Sequence, residues 1–292
     1  MIEVILFLLP SFTACILILG VLGYLGMHVL EREIIFIDIA LAQIAATGTA
    51  LAHMFMRHHT HDGNGFIETI VALSFTLIAA AFFSYVAKNI AKISQETVIG
   101  ISYAIAAAAT LFFLGLAAGG DIHMEEMFTG SILWAQWDSI IMCLTVYALI
   151  GIFHYIFRSK FITLSTNYRE ASKTGMNVML WDFLFYASMG IVITFTVEIT
   201  GVLLTFAFLI IPATFSTLFS NRWGTRLLIG WIVGVMATII GLFFSYRFDF
   251  SCGPALVAIL GLALVGAVLI KNLLTILKGL KHNDNLLSNK SG

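Results

Sequence analysis

Asn167-Tyr-Arg-Glu-Ala-Ser-Lys-Thr-Gly175 is a polar island between two long apolar tracts, residues 132–157 and 179–198. Its charges, with Arg158 and Lys160 just ahead, read as a short helix lying outside a hydrocarbon layer. Each flanking tract is about as long as the roughly 20 residues a helix needs to cross a bilayer. Moving outward from the island, apolar segments recur near 4–30, 34–57, 66–87, 98–119, 132–157, 179–198, 200–219, 226–247 and 253–277. Backbone polar groups in lipid must bond within their own segment or in a closed barrel, so unbroken runs of this length mean helices. Barrel strands would instead alternate over about ten residues. The predicted fold class is therefore all-α, a polytopic transmembrane bundle of 8–9 helices, with residues 1–292 forming a single membrane domain. The count is open at Glu198-Ile-Thr-Gly201, where two segments nearly touch and one is short, broken or re-entrant.

Composition supports the same class. Hydrophobic residues make up 60% of the chain and charged residues 11%, with a mean hydropathy of +1.00; a soluble domain carries about a quarter charged residues. Cys15, Cys143 and Cys252 lie far apart without CxxC spacing and read as small buried hydrophobes. The first segment lacks a basic leader and reads as a retained span. Basic residues set the orientation. With Arg32, Lys88, Lys92, Arg158–Lys173, Arg222, Arg226 and the Lys271–Lys290 tail on one face, nine crossings alternate without contradiction, leaving only Arg57 and Arg247 on the other face. The N-terminus is then outside, the C-terminus cytoplasmic, and the loop at about 158–178 internal.

The chain has no GxxxxGK[ST] phosphate loop, no GxGxxG after a strand, no HExxH and no GxSxG. If ATP is used, another chain must bind it. Three polar exceptions remain. His58-His59-Thr60-His61-Asp62, with His53 one turn earlier and a Gly-rich turn after, puts three imidazoles and a carboxylate within five residues. Such a loop suits Zn²⁺ or a similar borderline metal, and a second outer loop adds Asp121 and His123; a solvated polar loop is the bland alternative. Asp38 stands near the start of a span, where a carboxylate is either functional or simply favoured by the helix dipole. Gln43 and Thr47, four apart, share a helix face; Asp38 and Gln43, five apart, do not. Glu198 lies at the outer end of a hairpin, where an interfacial carboxylate is the plainer reading. Asp138 and Asp182, beside Trp137 and Trp181, read as interfacial anchors, His154 as structural, and His28 as undecided.

Glu170-Ala171-x3-Gly175 resembles the cytoplasmic coupling loop of ABC importer permeases, in which a Glu-Ala element and a downstream Gly form a short helix that docks on the ATPase. Gly201-Val-Leu-Leu-Thr-Phe-Ala-Phe-Leu-Ile-Ile-Pro212-Ala213 is similar to the "vGvLLvxALLiiPAA" segment of ABC-3 metal-ion permeases. Phe36–Gly48 is similar to the "fGDxlsHaxLpG" segment of the same family. Counting back from Gly48, the family His falls on Gln43 and its Asp on Ile39, with Asp38 displaced by one, and Asn167 stands where an Asp is common.

The resemblance covers residues 5 to 277 and implies the architecture of a type II ABC importer permease in the bacterial cytoplasmic (inner) membrane. Two copies would pair around a central path. ATPase subunits would dock at Asn167, Arg169, Glu170, Ala171 and Gly175, and an extracytoplasmic metal-binding protein would deliver the ion. Asp38, Gln43, Thr47 and Glu198 are the path candidates; His53, His58, His59, His61, Asp62, Asp121 and His123 are candidates at the outer mouth. No cofactor is expected on this chain. Zinc is the preferred cargo on the strength of the His-rich loop, with manganese and iron(II) as alternatives. A gradient-driven secondary transporter is the reading from another class.

Overall fold

The computed structural model describes residues 2–56, 64–89, 93–116, 130, 132–173 and 175–288, without the side chains of 2, 3, 5, 56, 64, 65, 169, 172 and 277–288. It is helical throughout: α1 (Ile2–Glu31), α2 (Ile37–Met56), α3 (Asn64–Asn89), α4 (Gln95–Leu116), a 3₁₀ turn (Ile132–Trp134), α5 (Trp137–Ile156), α6 (Arg158–Thr166), α7 (Tyr168–Lys173), α8 (Val178–Thr217), α9 (Trp223–Phe248) and α10 (Cys252–Ser288). Eight of these are long and apolar enough to cross a membrane.

The eighth helix decides the architecture. It contains one non-helical residue, Gly201, at φ 72° and ψ 168°, a conformation that glycine adopts without a Cβ penalty. Asp182, near one end, pairs with Arg32 just beyond α1, while the Leu209 carbonyl presses on Gly26, six residues earlier on α1. A straight helix would separate residues 182 and 209 by about 40 Å, whereas Gly26 and Arg32 are about 9 Å apart. The chain must therefore double back at Gly201, so that residues 178–200 and 202–217 are two arms. These arms are the sixth and seventh apolar segments. The returning arm is about 24 Å long, short of the roughly 30 Å hydrocarbon layer. Hydroxyls satisfy carbonyls at the corner: Thr200 Oγ1 reaches the Thr196 carbonyl at 3.0 Å, and Thr205 Oγ1 reaches that of Gly201 at 2.7 Å.

The hairpin is the hub of the bundle, touching α1, α2, α3, α5, α6, α9 and α10. Lipid tails are as apolar as a protein core, so helix association rests on close fit and interhelical hydrogen bonds. Small residues supply the fit. Gly48 faces the Ala72 backbone, Gly26 faces Leu209 and Gly234 faces Leu19, whereas Gly115, part of a small-residue pattern, meets nothing within 4 Å. Cys15, Cys143 and Cys252 are free and buried, as their spacing suggested. Polar residues collect at one end of the bundle: Arg32 with Asp182, Arg226 with Glu31, and Lys271 Nζ on the Leu218 carbonyl at 2.6 Å.

Candidate functional site

At that polar end, α6 and α7 form an elbow at Asn167. Asn167 caps the second helix: its Oδ1 accepts the Glu170 amide at 3.3 Å, and its Nδ2 donates to Glu170 Oε2 at 2.7 Å. This is a side-chain variant of the capping box; an Asp could accept the Glu170 amide but has no N–H to donate to the Glu170 carboxylate. Ala171 is fully buried against Leu164 and Val178, so a larger residue there would lift the helix. Gly175 ends the unit at φ 75° with open space around its Cα. Asn167, Glu170 and Lys173 remain exposed, and the Arg169 side chain lies outside the described residues. Burial pushes the Tyr168 phenol up to about 12; neighbouring Asp182 adds to the shift and Arg32 opposes it. The result is a small exposed polar knob seated on a small-residue contact.

Beneath it the packing is aromatic and then ionic. His154 stacks on Phe161 at 4.1 Å, and Lys160 sits 4.5 Å from the Trp181 ring. His154 Nε2 also lies 2.8 Å from Ser188 Oγ. Asp138 is exposed, as an interfacial anchor would be. Asp182 is not an anchor: it is 1% exposed and bound to Arg32, because a buried carboxylate needs a cation and the turn after α1 brings one to it. His28, undecided from sequence, is buried with Nδ1 2.8 Å from Ser165 Oγ.

The path candidates separate into groups. Gln43 Nε2 donates to Thr110 Oγ1 at 3.0 Å, and Thr47 Oγ1 lies 2.8 Å from the same hydroxyl, tying α2 to α4. Thr110 was not singled out in the sequence; its position in an otherwise Ala-rich helix is the only signal. Asp38 is outside this cluster, as the five-residue spacing implied. It is 2% exposed, and its Oδ1 has no hydrogen-bond partner among the described residues. Glu198 is exposed on the outward arm of the hairpin. His53 meets Glu68 at 3.4 Å across α2 and α3. His58, His59, His61, Asp62, Asp121 and His123 lie outside the described residues. Among the described residues no three His, Cys, Asp or Glu side chains gather to hold a metal.

Known proteins resemble the chain in sequence and in overall fold. The chain is 25% identical over 241 residues to the manganese transport system membrane protein MntC of Listeria innocua, covering 81% of each. It is 26% identical over 255 residues to the manganese import system permease protein ScaB of Streptococcus gordonii, covering 86% of each. A probable iron transport system membrane protein of Haemophilus influenzae is 20% identical over 82% of this chain and 81% of its own. In fold, the chain is similar to PsaBC from Streptococcus pneumoniae in complex with Fab, with a TM-score of 0.74 and 24% identity over 89% of this chain and 90% of that one. Residues 5–271 match the ABC 3 transport family across nearly the whole bundle, and the chain belongs to that family.

Proposed function

We propose that this chain is the membrane-spanning subunit of a bacterial ABC importer for a divalent metal ion, with manganese as its first cargo. The observation that carries the reading is the capped α6–α7 elbow on the same chain as the Gly201 hairpin: one element receives an ATPase, the other shapes the path. Two copies pair around a central route, separate ATPase subunits engage residues 167–175, and an extracytoplasmic binding protein supplies the ion. The N-terminus is external, and the basic end of the bundle is cytoplasmic.

The ion preference differs from the one the His-rich loop suggested. The buried polar groups on α2 and α4 offer carboxylate, amide and hydroxyl oxygens from Asp38, Gln43, Thr47 and Thr110, with neither imidazole nor thiolate. Oxygen donors suit Mn²⁺, whereas imidazole suits Zn²⁺. The curated relatives named for manganese favour the same ion. Zinc remains the second reading on the strength of His58, His59 and His61.

The test is reconstitution of the chain with its ATPase and binding protein in vesicles, followed by ATP-dependent uptake of Mn²⁺ with Zn²⁺ and Fe²⁺ as competitors. Uptake that needs ATP and is competed least by Zn²⁺ supports manganese; strong Zn²⁺ competition transfers the assignment to zinc. Absence of an ATPase complex, with uptake driven by an ion gradient alone, refutes the importer reading. Asp38→Asn is expected to lower uptake while leaving the ATPase bound; unchanged uptake removes Asp38 from the path.

A further inference from the structure

Below the docking elbow lies a buried junction that neither the docking surface nor the ion path accounts for. Arg32 leaves the end of α1 and uses its guanidinium in two directions. Nε donates to Ser165 Oγ at 2.8 Å and Nη1 donates to Asp182 Oδ1 at 2.8 Å, while the cation lies 3.9 Å from the centre of the Phe185 ring. The Arg32 and Asp182 side chains are 7% and 2% exposed. Each partner belongs to a different element. Ser165 is buried on α6, ahead of the exposed residues 167–175 proposed to engage the ATPase. Asp182 and Phe185 are on the outward arm of the α8 hairpin. Arg32 itself is in the short turn that enters α2, the helix carrying Asp38, Gln43 and Thr47.

Ser165 also ties in α1, since its Oγ is 2.8 Å from His28 Nδ1. With Oγ accepting from Arg32, the hydroxyl proton is left for that imidazole nitrogen, an arrangement that leaves no hydroxyl proton idle. Other contacts under the elbow include the aromatic edge of Phe161 with Trp181, the apolar contact of Ala171 with Leu164 and Val178, and a side-chain hydrogen bond from Tyr168 to Asp182 that also ties the elbow to the hairpin. The guanidinium bonds are charge-assisted and directional. Shifting the elbow without the hairpin would break a charge-assisted bond of a largely buried cation, which is expensive to lose. A cavity of about 300 Å³, lined by Arg32, Gln95, Ser165, Tyr168, Asp182 and Tyr186, borders the junction. It gives the group room to move as a unit, which a close-packed interior would deny.

We infer that Arg32 is the positioning residue that carries displacement of the docking elbow to α2 and the α8 hairpin, with its bonds to Ser165 and Asp182 acting as one strut. This rests on the reading of residues 167–175 as the ATPase-docking element. Lys at position 32 keeps the charge but offers a single ammonium in place of a two-way fork, so it holds one partner and releases the other.

The experiment uses the full transporter in vesicles and reads three quantities: ATPase bound per permease, ATP hydrolysis without the binding protein, and Mn²⁺ taken up per ATP. Ser165→Ala and Arg32→Lys are expected to retain bound ATPase and unstimulated hydrolysis. Uptake per ATP falls about threefold in the first and about tenfold in the second, within the range that substitutions along a coupled network produce. Wild-type uptake per ATP in both variants overturns the inference. So does loss of bound ATPase in proportion to lost uptake, which would make the junction a mere support for the elbow. If Arg32→Lys fails to accumulate, Ser165→Ala, which deletes one hydroxyl, decides by the same criteria. A wild-type chain that binds no ATPase removes the docking reading itself, and this inference with it.

Discussion

Gly26→Ala tests the fold-back at Gly201 directly. A Cβ on residue 26 would stand 1.9 Å from the Leu209 carbonyl oxygen, 2.9 Å from its carbon and 3.3 Å from the Ala213 Cβ. Ordinary contact begins near 3.4 Å, so the returning arm must retreat from α1 by about 1.5 Å, and the obstacle is backbone with no rotamer to change. Leu22, Leu25 and Val29 on α1 and Phe208 and Leu209 on the arm are all fully buried. A radial gap of even 0.5–1 Å forfeits roughly a quarter to a half of a contact's dispersion energy. Overpacking of this kind costs about 1–3 kcal/mol, and a backbone clash belongs at the upper end. At roughly 2–4 °C per kcal/mol for a chain of this size class, the melting temperature is expected to fall by about 5–10 °C. Tryptophan fluorescence during heating of the detergent-solubilised protein measures it. Gly20→Ala is the control: nothing lies within 4 Å of its added methyl group, and Ala in a helix gains about 0.5–1 kcal/mol over Gly. If Gly26→Ala melts with or above Gly20→Ala, Leu209 does not face α1, and the two-arm reading of residues 178–217 fails.

Other perturbations address the polar end. Asp182→Ala leaves the Arg32 cation buried without its carboxylate and should cost about 3–5 kcal/mol, while Arg32→Met with Asp182→Ala should recover much of that loss; a double variant no more stable than the single argues against a dominant ion pair. Asn167→Ala removes both cap bonds to Glu170, worth about 1 kcal/mol, and should weaken ATPase binding about fivefold in a titration; an unchanged affinity places the docking contact elsewhere. Tyr168 sets a pH dependence. Its phenol is raised from 10.0 to about 12, so the folded chain holds the proton more tightly than the unfolded one. Its contribution to stability is level below pH 10 and declines as pH rises from 10 to about 12. The near-ultraviolet difference titration between wild type and Tyr168→Phe should have its midpoint near 12, and a midpoint at 10 would contradict the burial.

How much of this was legible in the chain follows from the range of each interaction. The spans were legible because hydropathy is a property of contiguous residues, and the break between the sixth and seventh segments announced itself through Gly201. The elbow was legible for the same reason: Asn167 and Glu170 are three apart, so the cap is written within one turn. Asp182 was not, because its nearest sequence landmark is Trp181 and its actual partner is 150 residues away. Read beside the tryptophan, the carboxylate is an interfacial anchor; read beside Arg32, it is half of a buried pair. Thr110 is hidden in the same way, since only the approach of α4 to α2 gives its hydroxyl a role.

The division is physical and bears on function. In lipid the apolar surfaces distinguish poorly between partners, so the few long-range polar bonds must set which helix moves with which. The proposed docking requires only a local shape that an ATPase could grip, and the capped elbow is encoded within nine residues, 167–175. Transmission requires that the grip reach helices which are distant in sequence, and in the proposed coupling it passes through the Arg32 guanidinium, which joins three elements. A transporter of this design can therefore lose its coupling through a substitution at position 32 that touches neither the ATPase surface nor the ion.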